Sequence, residues 1–194
     1  MIKVGITGGL GCGKSTVAKL LERQGFRRID SDRIVRDSVL SAPRIAFAIA
    51  TRFGPGIVSA DGVVDRAALA RRVFSIPNDR QWLEGLVHPE VFAAWRREFE
   101  LAPESDWVVE VPLLFEKALE NWFDFTVCVG LSATQQIVRL ERRGLPRELA
   151  EQRISSQLPL SRKVELADFF LWNDGSPEFL EVQVGSLAAR VRGG

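Results

Sequence analysis

Cysteine is scarce in this chain: of 194 residues only Cys12 and Cys128 carry a thiol. Two cysteines without a framework of spacings exclude a disulfide scaffold, so the fold must rest on an apolar core. Histidine is scarcer still. His88 is the only one, and a lone histidine supports neither a metal centre nor a catalytic triad. It precedes Pro89 inside an apolar stretch and reads as a packing residue. No apolar run approaches the roughly 18 residues that span a bilayer. The N-terminal apolar stretch is broken by glycine and ends at Lys14, unlike a secretory signal. Charge of one sign is missing as well: 26 Lys and Arg against 25 Asp and Glu leave a net +1. Neither nucleic acid nor an anionic membrane is therefore expected as a bulk partner, and no basic patch interleaves with aromatics to line a nucleic-acid groove. A reducing, cytoplasmic setting fits these absences.

What is present is 46% hydrophobic residues, enough for the core of one compact domain with a smaller inserted subdomain. The most informative run is Gly8-Gly9-Leu10-Gly11-Cys12-Gly13-Lys14-Ser15. It fits the phosphate-loop template of a glycine, four residues, then Gly-Lys-Ser, and it lies between an apolar stretch (Ile2–Ile6) and helical apolar spacing (Thr16–Leu21). Strand, glycine loop and helix start are the context that the chemistry requires. Glycines let main-chain N–H groups curl around a polyphosphate, and the helix N-terminus adds partial positive charge. Lys14 is placed to reach the β- and γ-phosphates of a nucleotide, and the Ser15 hydroxyl to ligate Mg²⁺.

Further strands are expected at Phe26–Ile29, Trp107–Val111, Phe125–Val129 and Asp168–Trp172. Helices alternate with them at Ala133–Arg143, at Arg147–Gln157 after the break Gly144-Leu145-Pro146, and from about Pro177. From Ala42 to Leu101 the pattern is of amphipathic helices, interrupted between Phe53-Gly54-Pro55-Gly56 and Asp61-Gly62, with Phe92, Trp95 and Phe99 forming a packing stripe. The spacing thus predicts an α/β phosphate-loop NTPase fold: three layers, a parallel sheet of about five strands, and a helical insertion. The tail Arg190–Gly194 is expected to fray.

Three groups of side chains carry candidate chemistry. Asp30 and Asp32 lie two apart at a strand end, where a period of two would point both toward the ligand edge of the sheet. One carboxylate there can take the proton of an acceptor hydroxyl while another supports the metal; either can instead cap the helix that follows. Glu110 holds the strand-end acid position that in phosphate-loop proteins helps bind Mg²⁺. Arg139, Arg142 and Arg143 stand at helical spacing before a break, as a lid closing over the phosphates requires. A solvated helix laced by Glu141, Glu148 and Glu151 is the plainer alternative.

Together these motifs resemble one family, the dephospho-coenzyme A kinases. The matching stretches are Gly5–Thr16, Ile29-Asp30-Ser31-Asp32 with Arg36, His88-Pro89, Val111-Pro112-Leu113-Leu114-Phe115-Glu116, Gln136–Leu140, Arg153–Gln157, Lys163, Ala167-Asp168 and Asn173-Asp174-Gly175-Ser176. The resemblance implies ATP-dependent phosphorylation of the ribose 3′-hydroxyl of dephospho-coenzyme A, with ATP and Mg²⁺ as nucleotide and metal. It implies Asp32 as base, and Lys14, Arg139 and either Arg142 or Arg143 on the phosphates. Nucleotide contacts would come from Gly8, Gly9, Gly11, Cys12, Gly13, Lys14, Ser15 and Thr16, with Asn173 and Gly175 beside adenine. Residues 40–104 would form the acceptor subdomain and about 139–157 the lid. The protein is expected to act as a monomer or weak homo-oligomer. The competing readings are another small-molecule or nucleoside monophosphate kinase of this fold, and a nucleotide-dependent switch ATPase. Cys12 stands where a small residue, often Ser, is usual, which a loop that works through its backbone tolerates.

Overall fold

The structure, a computed structural model, describes residues 1–54 and 56–193. Pro55 in the expected turn and the terminal Gly194 lie outside them. The chain begins with β1 (Lys3–Gly8), α1 (Lys14–Arg23) and β2 (Arg27–Asp30). It continues through the one-turn α2 (Ser31–Ile34) into a π-helical turn at Val35–Val39, then α3 (Pro43–Phe53), α4 (Arg66–Ser75) and α5 (Pro77–Leu101). The remainder is β3 (Trp107–Glu110), β4 (Phe125–Gly130), α6 (Ala133–Arg142), α7 (Arg147–Ser155), α8 (Leu160–Leu166), β5 (Phe169–Trp172) and α9 (Pro177–Gly193). Contacts divide the chain into two units, Met1–Asp30 with Pro103–Gly194, and Ser31–Ala102.

The first unit is a five-stranded sheet in the order β2-β3-β1-β4-β5, parallel throughout. Its three inner strands, β3, β1 and β4, are buried on both faces because helices cover both, while the edge strands β2 and β5 are partly exposed. Val4 and Ile6 of β1, Val108 of β3 and Val127 and Val129 of β4 pack with Val17 and Leu21 of α1 and with Leu180, Val184 and Leu187 of α9. All carboxyl ends therefore meet at one edge, the edge where ligands of such sheets bind. The register sets Asp30 beside Glu110 and Gly8 beside Val129 at that edge. The expected fraying of the tail is not what forms. Val191 is buried in the same core, and Arg192 bonds Asp106 at 2.9 Å, so α9 runs through Gly193.

The second unit is helical, as the amphipathic pattern predicts. Its long helix α5 buries Val87, Val91, Trp95 and Phe99, a stripe at spacing four, while Phe92 is only half-buried. Pro77 starts this helix where a missing N–H costs nothing. Between α3 and α4 the chain doubles back on itself through an antiparallel bridge of Val58 and Val64, and Asp65 caps α4 by accepting from the Ala67 and Ala68 amides.

One sequence expectation is corrected here. Asp30 closes β2, but Asp32 lies in the first turn of α2, so the strand period does not relate the two carboxylates.

Candidate active site

The loop between β1 and α1 is shaped by two glycines that no other residue replaces. Gly8 has φ 139° and a Cβ there would strike the Val129 carbonyl; Gly13 has φ 95° and a Cβ would strike the Asn173 amide. Gly13 is also the N-cap of α1, which has no side-chain cap and no acid in its first turn. The first-turn N–H groups and the positive end of the helix dipole are thus left for an anion. Lys14 folds back over this loop, its Nζ donating to the carbonyls of Gly8 at 3.1 Å and Gly9 at 2.9 Å.

Side chains from two later elements hold the loop from behind. Gln136 of α6 donates from Nε2 to the Leu10 carbonyl at 2.5 Å. Buried Asn173, just past β5, donates from Nδ2 to the Cys12 carbonyl at 2.8 Å. Arg139 donates in turn to the Asn173 carbonyl at 2.9 Å. The loop is therefore pre-shaped, which reduces the ordering cost of binding a polyphosphate. Cys12 is fully buried within it; burial pushes its thiol pKa up, against smaller downward pulls from Lys14 and Arg139. Burial likewise pushes Cys128 up to about 12, and both cysteines are free.

At the carboxyl edge the acids form a relay. Glu110, 5% exposed, accepts from the Ser15 hydroxyl at 2.7 Å on one oxygen and from Arg28 Nε at 2.7 Å on the other. Arg28 also reaches Asp30 at 3.5 Å. Among the described residues no group of three or more His, Cys, Asp or Glu could cage a metal. Adjacent Ser15 and Glu110 oxygens fit a hard cation that takes its remaining ligands from phosphate and water, the habit of Mg²⁺.

The predicted residues are thus partly assembled. Gly8, Gly9, Gly11, Cys12, Gly13, Lys14 and Ser15 make the loop, Glu110 meets Ser15, and Arg139 and Asn173 meet the loop's flank. Thr16 lies exposed in the first turn of α1, and Gly175 is exposed with the Phe179 ring against it. Arg142 and Arg143 lie exposed at the end of α6, before Gly144 with φ 80°. Asp32 belongs to the second unit. Sequence reasoning missed Arg28, whose signal was a cation inside a strand; it also missed that Gln136 and Asn173 act as loop supports.

The comparisons agree with this geometry. The family model for dephospho-CoA kinase (CoaE) matches residues 2–178. A dephospho-CoA kinase of Thermosynechococcus vestitus is 41% identical, covering 100% of this chain and 97% of the relative. The crystal structure of TT1252 from Thermus thermophilus superposes with TM-score 0.85 at 36% identity, covering 97% of each chain. Shikimate kinase from Acinetobacter baumannii, at 16% identity and TM-score 0.54 over 100% of this chain and 94% of its own, shares the fold alone. A phosphate loop placed between β1 and α1, a strand-end acid bonded to its serine and a whole-length match converge: this chain belongs to the dephospho-CoA kinase family, whose activity is the ATP-dependent phosphorylation of dephospho-CoA in coenzyme A biosynthesis.

Proposed function

We propose that this chain transfers the γ-phosphoryl group of ATP to the ribose 3′-hydroxyl of dephospho-CoA, with Asp32 as general base. The acceptor O–H proton passes to the Asp32 carboxylate as the new O–P bond forms and the bond to the β-phosphate oxygen breaks, releasing ADP. Catalysis of this kind is mainly positioning and charge neutralisation. The α1 N-terminus and the Gly8–Gly13 amides bind the phosphates. Lys14 leaves its two carbonyl partners for the β- and γ-oxygens. Ser15 and Glu110 would hold Mg²⁺, which when bound would supply charge neutralisation on the phosphates. Arg139, and Arg142 or Arg143 from the end of α6, meet the transferring group as a lid over about 139–157 that excludes water. The observation that carries this reading is the hydrogen bond between Ser15 and Glu110, two hard oxygen ligands set at the mouth of the phosphate loop.

The acceptor reading rests on the second unit. It contains a cavity of about 450 Å³ whose wall carries two guanidinium groups, Arg36 and Arg66, above apolar Leu40 and Val64. The same wall carries Asp37, which pairs with Arg36 at 2.6 Å, and Asp61, so a diphosphate would have to take Arg36 from its partner, while Leu40 and Val64 offer apolar surface to a carbon-rich arm. The enzyme is read as a cytoplasmic monomer or weak homo-oligomer; no helix among the described residues is long and apolar enough to cross a membrane.

A coupled ADP-release assay tests the assignment. Dephospho-CoA should be the preferred acceptor over CMP and AMP, and turnover should require magnesium. Preference for a nucleoside monophosphate would make this another kinase of the fold. Hydrolysis that dephospho-CoA does not stimulate would make it a switch ATPase.

A further inference from the structure

Lys163 is the most unexpected side chain in the molecule. It lies on the short helix α8 and is entirely buried, among the largest fully buried side chains of the chain. Its Nζ lies 2.8 Å from Glu116 Oε1 and donates to the Pro112 carbonyl at 3.0 Å. Taking an ammonium out of water costs free energy that its ion pair does not reliably return, and well-packed apolar residues often serve stability as well or better. Stability alone therefore gives no reason for a charge here. The reason lies in what that charge holds.

Pro112 comes two residues after Glu110, the acid that meets Ser15. Its carbonyl also accepts from Thr7 Oγ1 at 3.2 Å, at the end of β1 and next to the phosphate loop. Glu116 Oε1 accepts the Leu158 amide at 3.0 Å, and Leu158 lies just beyond the end of α7. One buried ammonium thus fixes the chain after Glu110 directly, and through Glu116 fixes the chain after the proposed lid. Its field reaches the loop too, pulling down the Cys12 thiol against the larger effect of burial. The second Glu116 oxygen is buried with no hydrogen-bond partner, so Lys163 and the Leu158 amide both hold this carboxylate through Oε1.

We propose that Lys163 is a positioning residue for phosphoryl transfer, joining the strand end that carries Glu110 to the fixed root of the α7 segment through Pro112 and Glu116. It touches neither substrate; it sets where Glu110 and the lid root stand. This goes beyond the reading of the site given above and rests on it for the roles of Glu110 and the lid. Wild-type turnover with dephospho-CoA tests that reading separately.

The experiment compares Lys163→Met, Glu116→Gln and the double variant Lys163→Met/Glu116→Gln in steady-state kinetics and thermal denaturation. Lys163→Met should lower kcat about 10-fold or more, in line with misplaced catalytic groups, and leave KM for dephospho-CoA within about twofold. Removing both charges should restore most of the melting temperature while kcat stays low. Recovery of kcat together with melting temperature in the double variant would reduce the pair to packing and overturn the proposal, as would an unchanged kcat in Lys163→Met. Should neither Lys163 variant fold, hydrogen exchange in the wild-type enzyme decides. On adding magnesium and a non-hydrolysable ATP analogue, the α7 amides should gain protection while the Leu158 amide stays constant. A Leu158 amide that changes in step with α7 overturns the proposal.

Discussion

Among the described residues each unit buries one carboxylate against guanidinium, Asp79 against two and Glu110 against one, and the two sites differ in where the second oxygen goes. Asp79 in the helical unit is 5% exposed, as is Glu110 in the sheet unit. Asp79 gives one oxygen to Arg52 at 3.2 Å and the other to Arg72 at 2.8 Å. Those arginines lie over aromatic rings, Arg52 on Trp82 at 5.5 Å and Arg72 on Phe53 at 5.9 Å. Among the described residues these partners all lie on α3, α4 and α5. Glu110 spends one oxygen on Arg28 and turns the other to Ser15 on the phosphate loop. Burial and an ion pair are common to both. The remaining partner separates an acid bonded within the helical unit from one bonded to the serine of the phosphate loop, as the proposed metal role of Glu110 requires.

The largest break in that contrast should come from the loop itself. Lys14→Ala removes the cation meant for the β- and γ-phosphates, and kcat/KM for ATP should fall by roughly 10³-fold, the upper range for losing one charge-stabilising donor. Next, Asp32→Asn should lower kcat by roughly 10²-fold with little change in ATP affinity, the scale of losing a general base; wild-type turnover would remove Asp32 from the mechanism. Asp79→Asn should act on stability instead. Loss of the charged acceptor for two arginines should cost about 2 kcal/mol, read as a fall of a few degrees in melting temperature, with kcat of the folded enzyme unchanged. A tenfold loss of kcat there would erase the distinction between the two acids.

The smallest effect concerns the thiols. Burial raises both thiols, Cys128 to about 12, so both favour the protonated form more than an exposed cysteine does. The native protein should therefore resist iodoacetamide at pH 8. For stability the sign is that of a raised pKa: the contribution of Cys128 is whole below about pH 9, where an unfolded thiol begins to ionise, and is lost as pH rises toward 12. Melting temperature followed over that interval should decline less steeply in Cys128→Ala.

The phosphate loop was legible in the sequence because its signal is local: glycines, Lys14 and Ser15 lie within eight consecutive positions and their flanks declare a strand and a helix. The α/β alternation was legible for the same reason. What could not be read were pairings between distant positions. Arg28 meets Glu110 across 82 residues and Arg192 meets Asp106 across 86, the second turning an expected loose tail into the end of a helix. The misplacement of Asp32 has a different cause: the chain leaves β2 for α2 at buried Ser31, and the cap-forming residue types Asp30 and Ser31 suit a helix start as well as a strand end, so the change of period could be placed on either side of them.

The most direct measurement is a magnesium titration of turnover in Glu110→Gln beside Asp79→Asn. Glu110→Gln should need a higher magnesium concentration for half-maximal rate and lose roughly 10-fold or more in kcat, while Asp79→Asn keeps the wild-type magnesium curve. Wild-type magnesium dependence in Glu110→Gln, or a shifted curve in Asp79→Asn, would contradict the assignment of the two buried acids.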